Sequence, residues 1–585
     1  MAPPVDENPF SRRRFLVGAG AAGLASAAPG LVRPAIASAG PAVRATGPST
    51  ASAPTGDGTP EQIHLTWGAD PTRSVVVSWA SLAPSTGARV RYRRAGGGPG
   101  RGGEIGLPAV QRTYTDGLSG ETVFAYHAAL SDLHPGTEYE YEVTADNDGN
   151  RADPFSAMFT TAPRGRQGFR FTSFGDLATP NTAWVLSYGQ SSFAVDQVEA
   201  QAPLFHLLNG DLCYANLNPT SQPEVWRDFG NNNQRSAALR PWMPCPGNHE
   251  LEFDNGPFGL KSYLTRYSLP DNGVPGFGGW WYSFRVGSAV FVSLAADDVI
   301  YQDGAAFVAG PGPLVPAAGT GNAPIPAGSS VYIRGFSQGA QTRWLERTLA
   351  AARADDSVDW VVVQMHQDAL SSSITGNGSD RGIREAWLPL FDRYQVDLVL
   401  CGHDHDYERS FPVRGHDPSQ GWDAATGAPV ETLRPHPVTT VDRGVFDTSE
   451  GTVHLILGGG GTSAPLEDYG VDSADGRTEA KIFTKPNLPQ PGAGGVFTRA
   501  AADAREDAVW SAQRDPSTGY GIAVFDVAAG ARPGDRPSIT VTYLHAPGAD
   551  PTNPNTGVTG APNPNYTVFE RFRLERPGRD HHPDG

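Results

Sequence analysis

Two patterns of apolar and polar positions divide the chain. From about residue 168 onward, near-continuous apolar runs of strand length recur: Phe169-Arg170-Phe171-Thr172-Ser173-Phe174, Leu204-Phe205-His206-Leu207-Leu208, Asp359-Trp360-Val361-Val362-Val363 and Val396-Asp397-Leu398-Val399-Leu400. Runs of this kind mark strands covered on both faces. Helix-spaced segments lie between them, for example Gln341 to Leu349. The alternation predicts an α/β domain, in which ligands collect beyond the carboxyl ends of the strands. Thr452 to Leu457 and Ile522 to Val527 extend the same domain, and the Gly/Pro/Ala-rich stretch from Asp298 to Gly328 reads as a long loop near the site.

Before residue 164 the pattern is all-β. Short runs at His64–Trp67, Ser74–Trp79, Val90–Tyr92, Tyr126–Leu130 and Glu138–Val143 are separated by Gly/Pro/Asp turns. In the last of these Tyr and Glu alternate, placing rings on one face and carboxylates on the other. This predicts an immunoglobulin/fibronectin III-like sandwich, whose simplest role is packing and positioning. The expected division is an export signal at 1–37, a linker at 38–58, the sandwich at 59–164, the α/β domain at 165–576 and a polar tail at 577–585.

Composition narrows the function. With 585 residues, 39% hydrophobic and only 18% charged, the chain holds two or three globular domains. A formal charge of −17 leaves no basic footprint for nucleic acid. Cys213, Cys245 and Cys401 are too few for a disulfide framework and include no CxxC pair. The amino terminus carries Ser11-Arg12-Arg13-Arg14-Phe15-Leu16, a weak Ala/Gly-rich apolar stretch and Ala35-Ile36-Ala37, in the order of a twin-arginine export signal. The stretch is too short and Gly-rich for a stable membrane anchor. Cleavage after Ala37 removes four arginines and two acids, taking the charge from −17 to −19.

Five short segments place oxygen and nitrogen donors just after apolar runs: Gly175-Asp176-Leu177-Ala178, Gly210-Asp211-Leu212-Cys213-Tyr214, Gly247-Asn248-His249-Glu250, Gln364-Met365-His366 and Gly402-His403-Asp404-His405. Singly, Gly-Asp is a turn, Gly-Asn-His-Glu a helix cap and His366 a buried histidine. Together they form a mixed O/N set suited to Fe, Zn or Mn rather than Ca. Two such ions about 3.5–4 Å apart can activate water and neutralise phosphoryl oxygens. His64, His127, His206, His454 and His545 have no such company and read as structural; little draws Tyr188 or Asn216 into the site.

On these five segments, and on Tyr214 above all, the chain resembles the purple acid phosphatases of the calcineurin-like metallophosphoesterase superfamily over roughly residues 60 to 545. The resemblance implies an α/β metallophosphoesterase sandwich of two mixed sheets flanked by helices. It implies Asp176, Tyr214 and His405 on a ferric ion, Asn248, His366 and His403 on a divalent ion (Zn, Mn or Fe), and Asp211 bridging. It implies attack on phosphorus by hydroxide generated at the metals, with His249 giving a proton to the leaving group. Glu250, Tyr407, Glu408 and Arg409 match family positions as supporting groups. The chain departs from the family after His366, where Gln367-Asp368-Ala369-Leu370 replaces further histidines; Gln367 or Asp368 is the candidate substitute. The expected activity is a secreted acid phosphatase acting on small phosphomonoesters. A phosphodiesterase or nucleotidase on the same core, and a non-catalytic binding protein, are the alternatives.

Overall fold

The computed structural model describes residues 58–577 except 97–102, 148–149, 152, 219, 253–254, 257–258, 303–333, 375–376, 419, 463–477, 486–488, 492–496, 500–501, 530–535 and 548–561. The expected export signal and nearly all of the linker and tail therefore lie outside the described residues. Among the described residues no helix is long and apolar enough to cross a membrane.

The amino-terminal strands form two facing sheets. One runs Glu61–Trp67, Val75–Ser81, Thr122–Leu130, Val110–Thr115; the other is built on Thr86–Arg94 and Glu138–Asn147, with Ile105–Pro108 and Phe155–Thr160 on their outer sides. The Tyr/Glu alternation behaves as its period demands: Tyr139 and Tyr141 are buried and stack or tilt against Phe159. Arg93 pairs with the outward Glu140 at 2.6 Å. The sandwich is joined to the rest by buried contacts: the Tyr141 hydroxyl donates to Ala238 O (2.7 Å), and His127 Nε2 lies 2.9 Å from Thr265 O.

The larger part of the chain contains two seven-stranded mixed sheets. The first has the order Trp242–Pro244, Phe205–Leu208, Phe169–Phe174, Gly521–Ala528, Ser538–His545, Thr567–Glu575, Val445–Asp447; the second has Tyr282–Val286, Ala289–Ser293, Trp360–Gln364, Leu398–Cys401, Val453–Leu457, Tyr407–Ser410, Ser511–Arg514. Between them Phe171 stacks on Phe525 (4.3 Å) and meets Phe291 edge-on (5.2 Å). The alternate residues of the same strands, such as Phe174, Val361, Val363 and Val399, face outward under Ser191–Gln201, Gln222–Ala237 and Ala340–Ala354. Burial on both faces is why these strands carry no polar alternation.

Three neighbouring strands run parallel in the first sheet, Phe169–Phe174 with Phe205–Leu208 and Trp242–Pro244, and four in the second, Ala289–Ser293, Trp360–Gln364, Leu398–Cys401 and Val453–Leu457. Hydrogen bonds between the sheets tie these ends together: Gly175 N to Leu457 O (2.7 Å), Gln364 Nε2 to Leu208 O (2.7 Å) and Asn209 Nδ2 to Cys401 O (3.2 Å).

Candidate metal centre

All five donor segments leave strands at this one end. The turns are tight. Asp176, Asp211, Tyr214 and His403 adopt the left-handed backbone region, with φ of 57°, 48°, 60° and 68°. Non-glycine residues pay for that conformation with strain of about 1–3 kcal/mol each, so surrounding bonds must enforce it. The Glu250 carboxylate does so for one turn, accepting from Asp211 N (2.9 Å), Leu212 N (2.8 Å) and Gly247 N (2.8 Å). The Asp176 carboxylate accepts from His403 N (2.9 Å), fixing another.

The donors gather in two trios. In the first, the Tyr214 hydroxyl donates to Asp176 Oδ1 (2.9 Å) and lies 3.0 Å from His405 Nε2, which is 3.3 Å from the same Asp176 oxygen. In the second, Asp211 Oδ2 is 3.0 Å from His366 Nε2, and His403 Nδ1 is 3.3 Å from that nitrogen. Donor atoms of Asp211, His366 and His403 all lie within 4.8 Å of one another. Asn248 adjoins the second trio through its neighbour, since His249 N donates to Asp211 Oδ1 (2.8 Å).

Whether these residues suit a cation can be judged from the atoms. Asn248 Oδ1 is a buried acceptor with no hydrogen-bond partner. His366 donates Nδ1–H to Asn209 O (2.7 Å), which leaves the lone pair of Nε2 turned inward when the ring is neutral. Burial works against charge on Asp211, but His366 and His249 outweigh it and hold the carboxyl below the usual range. Burial lowers His366 as well, and Asp211 with Asp176 overrides it, raising the imidazole to about 10. A cation bound here would displace the proton this pair holds. Burial, then Asp176 and Asp211, push the Tyr214 phenol well above its ordinary value. Burial, then His366, lower His403. The donor set, the inward lone pairs and the orphaned amide oxygen fit cations.

The remaining predicted residue, His249, sits at the rim. Its ring packs on Tyr214 at 4.6 Å, its Nε2 is 3.8 Å from Asp211 Oδ2, and its Nδ1 is 2.8 Å from Asn216 Oδ1. His249, Asn248 and His405 are partly exposed, whereas Asp176, Asp211, Tyr214, His366 and His403 are buried. Solvent therefore reaches the donors at Asn248, His249 and His405. Asn216, given little weight from sequence, is in direct contact with this histidine.

The Gly-rich segment after Val453–Leu457 forms a wall that the motifs did not announce. Gly460 N donates to Gly175 O, and both Gly461 N and Thr462 N donate to Asp176 O, each at 3.0 Å. Thr462 Oγ1 donates to the same carbonyl (2.9 Å) and lies 3.4 Å from the Tyr214 hydroxyl. A Cβ on Gly458 would stand 2.1 Å from Asp404 O and 2.9 Å from Asp176 Oδ2. Gln367 and Asp368 are both buried: Gln367 Nε2 donates to Asp297 Oδ1 (3.1 Å), and Asp368 faces Cys401 and the buried acids Asp404, Asp406 and Glu408.

Comparison with known proteins identifies the family. The purple acid phosphatase N-terminal domain matches residues 60–162, and the calcineurin-like phosphoesterase domain matches residues 128–407. The chain belongs to the purple acid phosphatase family. Members of this family that it resembles include the purple acid phosphatase of Glycine max, 27% identical with 61% of this chain and 67% of the relative covered. The Fe(3+)-Zn(2+) purple acid phosphatase 12 of Arabidopsis thaliana is 25% identical, with 61% and 66% covered. An uncharacterized protein of Mycobacterium tuberculosis is 40% identical over 97% of this chain and 96% of its own length. The yellow lupin purple acid phosphatase structure shares the fold, with a TM-score of 0.56, 17% identity and coverage of 89% of this chain and 75% of that one. As a family member the chain is a metal-dependent phosphatase.

Proposed function

We propose that this phosphatase is exported and hydrolyses phosphate monoesters in acidic surroundings at a paired Fe(III)–divalent centre. Asp176, Tyr214 and His405 would hold the ferric ion, Asn248, His366 and His403 a Zn, Mn or Fe(II) ion, and Asp211 would bridge. The observation that carries the reading is the sorting of the donors into one trio containing a phenol and another containing two imidazoles. A phenolate is a hard anionic donor, which favours the trivalent ion. The Arabidopsis relative is an Fe(3+)-Zn(2+) purple acid phosphatase by name, which agrees with that pairing. On this reading residues 59–164 are the positioning sandwich and 165–576 the catalytic domain.

The bound pair would supply an acidified water and neutralise the phosphoryl oxygens. The chain's own groups do the rest. His249 gives Nδ1–H to Asn216 Oδ1, so protonation adds the second proton at Nε2, on the side of Asp211 and the open rim. That imidazolium can hand its proton to the departing alkoxide, a step that needs an acidic medium. Tyr214 shields the ring from behind and holds its plane.

The test combines elemental analysis of purified protein, its visible spectrum, and turnover of a nitrophenyl monoester against the matching diester. Two metals per chain, one of them iron, with a tyrosinate band and monoester preference are expected. A colourless protein fully loaded with divalent ions would refute the ferric assignment; faster diester turnover would favour the diesterase reading. Export is supported by the residue order around Arg12 and Arg13. Replacing both with lysine should leave the protein in the cytoplasm, and unchanged export would overturn it.

A further inference from the structure

His403 is held from two sides. Its Nδ1 points into the donor cluster, 3.3 Å from His366 Nε2, and its Nε2 lies 3.0 Å from Gln302 Oε1. Gln302 Nε2 donates to Asn377 Oδ1 (2.6 Å), and Asn377 Nδ2 donates to the backbone carbonyl of His403 itself (2.6 Å). The circuit closes on the residue where it begins, and its atoms can be assigned in only one way. A backbone carbonyl only accepts, so Asn377 must turn its amide nitrogen toward it. Asn377 Oδ1 then faces Gln302, which must donate through its own nitrogen. Gln302 Oε1 is left facing His403 Nε2, and that nitrogen must carry a proton.

Gln302 is itself fixed by its backbone. Asp380 Oδ2 accepts from Tyr301 N (2.7 Å) and Gln302 N (2.8 Å), while Asp380 Oδ1 caps helix Arg381–Ala386 at Gly382 N (2.7 Å). Gln302, Asp380 and His403 are buried, so water does not compete for these bonds. We infer that Gln302 is a positioning residue that sets the tautomer and ring angle of His403, so that Nδ1 and not Nε2 is offered to the divalent ion. The inference rests on the reading of His403 as a ligand of that ion. Its chemical consequence is specific. The acceptor behind the imidazole is a neutral amide, which polarises the ring less than a carboxylate does. The divalent ion would therefore be held less tightly than a carboxylate-backed histidine would hold it.

The test uses the full-length protein carrying its iron and reloaded with Zn²⁺. Wild type, Gln302→Met and Gln302→Glu are stripped with graded chelator while zinc per chain and the visible band are followed. Met keeps the length but accepts nothing; Glu keeps an acceptor at His403. Gln302→Met should release zinc at about 10–100-fold lower chelator concentration, the usual scale for losing a partner behind a metal ligand, with the band unchanged. Gln302→Glu should hold zinc at least as tightly as wild type. Equal zinc retention in wild type and Gln302→Met overturns the inference. So does equal weakening in both variants, or loss of the band along with the zinc. A wild type that shows the band yet takes up no zinc would instead overturn the reading of the divalent site, and the inference with it.

Discussion

Gly458→Ala tests the wall behind the phenol-containing trio. The added Cβ would lie 2.1 Å from Asp404 O and 2.9 Å from Asp176 Oδ2, where ordinary contact begins near 3.4 Å. About 1.3 Å must be opened against a backbone oxygen that cannot rotate away. Asp404 stands between His403 and His405, so displacing it drags two proposed ligands, and pressure on Asp176 strains its bond from His403 N (2.9 Å). Overpacking of this size costs about 1–3 kcal/mol, which a fold stable by about 5–15 kcal/mol survives. A displacement near 1 Å at reacting groups costs about 10²-fold in rate. The expected variant is folded, poor in iron, pale and at least about 10²-fold slower on nitrophenyl phosphate. Gly106→Ala is the control: no atom lies within 4 Å of its Cβ, and its position on Ile105–Pro108 is exposed. If Gly458→Ala kept wild-type metal content, band and turnover, the close approach would have no bearing on the site.

Four further outcomes are expected. Tyr214→Phe removes the phenol that donates to Asp176 and should abolish the visible band while the protein stays folded; a persistent band would mean another ligand supplies it. His249→Ala should retain both metals and lose about 10²–10⁴-fold in turnover, as removal of a general acid does; metal loss would move this residue into the ligand set. Arg384 and Glu506 form a fully buried two-bond pair (2.9 and 2.7 Å) between helix Arg381–Ala386 and strand Ala502–Asp507. Arg384→Ala leaves the carboxylate unpaired and should cost about 3–5 kcal/mol by denaturant titration, a loss under 1 kcal/mol contradicting the assignment. Burial raises Glu252 to about 7, so the folded state binds more protons than the unfolded chain from the ordinary value of 4.5 upward. Stability from this group is thus complete at acidic pH and declines by about 3 kcal/mol as pH rises through that window. Glu252→Gln should flatten the decline; parallel curves would place its cause elsewhere.

The apolar runs disclosed the two large sheets because strands buried on both faces cannot alternate, and the donor segments stood out because Asp, Asn and His sit where those runs stop. Tyr214, three residues after Asp211, is picked out by the family resemblance and not by the pattern of apolar runs. Other parts of the centre lack a local sign. Gly458 to Gly461 carry no side chain to announce them, and their place shows only where the carbonyls of Asp404, Gly519, Gly175 and Leu177 crowd their Cβ positions. Gln302 is one polar residue at the root of a Gly/Pro/Ala-rich stretch, and nothing nearby in sequence points to His403, 101 positions away. Asn216 comes to His249 only because Tyr214 takes a left-handed turn into the short helix Ala215–Leu217. The same limit applies to Gln367 and Asp368. Adjacency to His366 recommends them as substrate contacts, but both are turned into the buried interior.

The left-handed conformations of Asp176, Asp211, Tyr214 and His403 connect these observations. Glycine would relieve the strain but carries no donor, so at these positions chemistry prevails over conformational ease. Strain of this kind persists only where neighbours over-determine the backbone. Here the neighbours are specific: three N–H groups on Glu250, the His403 amide on Asp176, and two amides with one hydroxyl on the Asp176 carbonyl. Each clamp joins a turn of one sheet to a turn near it or opposite it. The glycines stand where a Cβ would collide: with backbone at 175 and 458 to 461, with a site carboxylate and backbone at 247 and 402, and with the His366 side chain at 210. The division of labour explains why Gly precedes Asp176, Asp211, Asn248 and His403 alike. The smallest residue admits its neighbour, and the next residue, which at 176, 211 and 403 is forced into a costly conformation, turns its side chain toward the common centre.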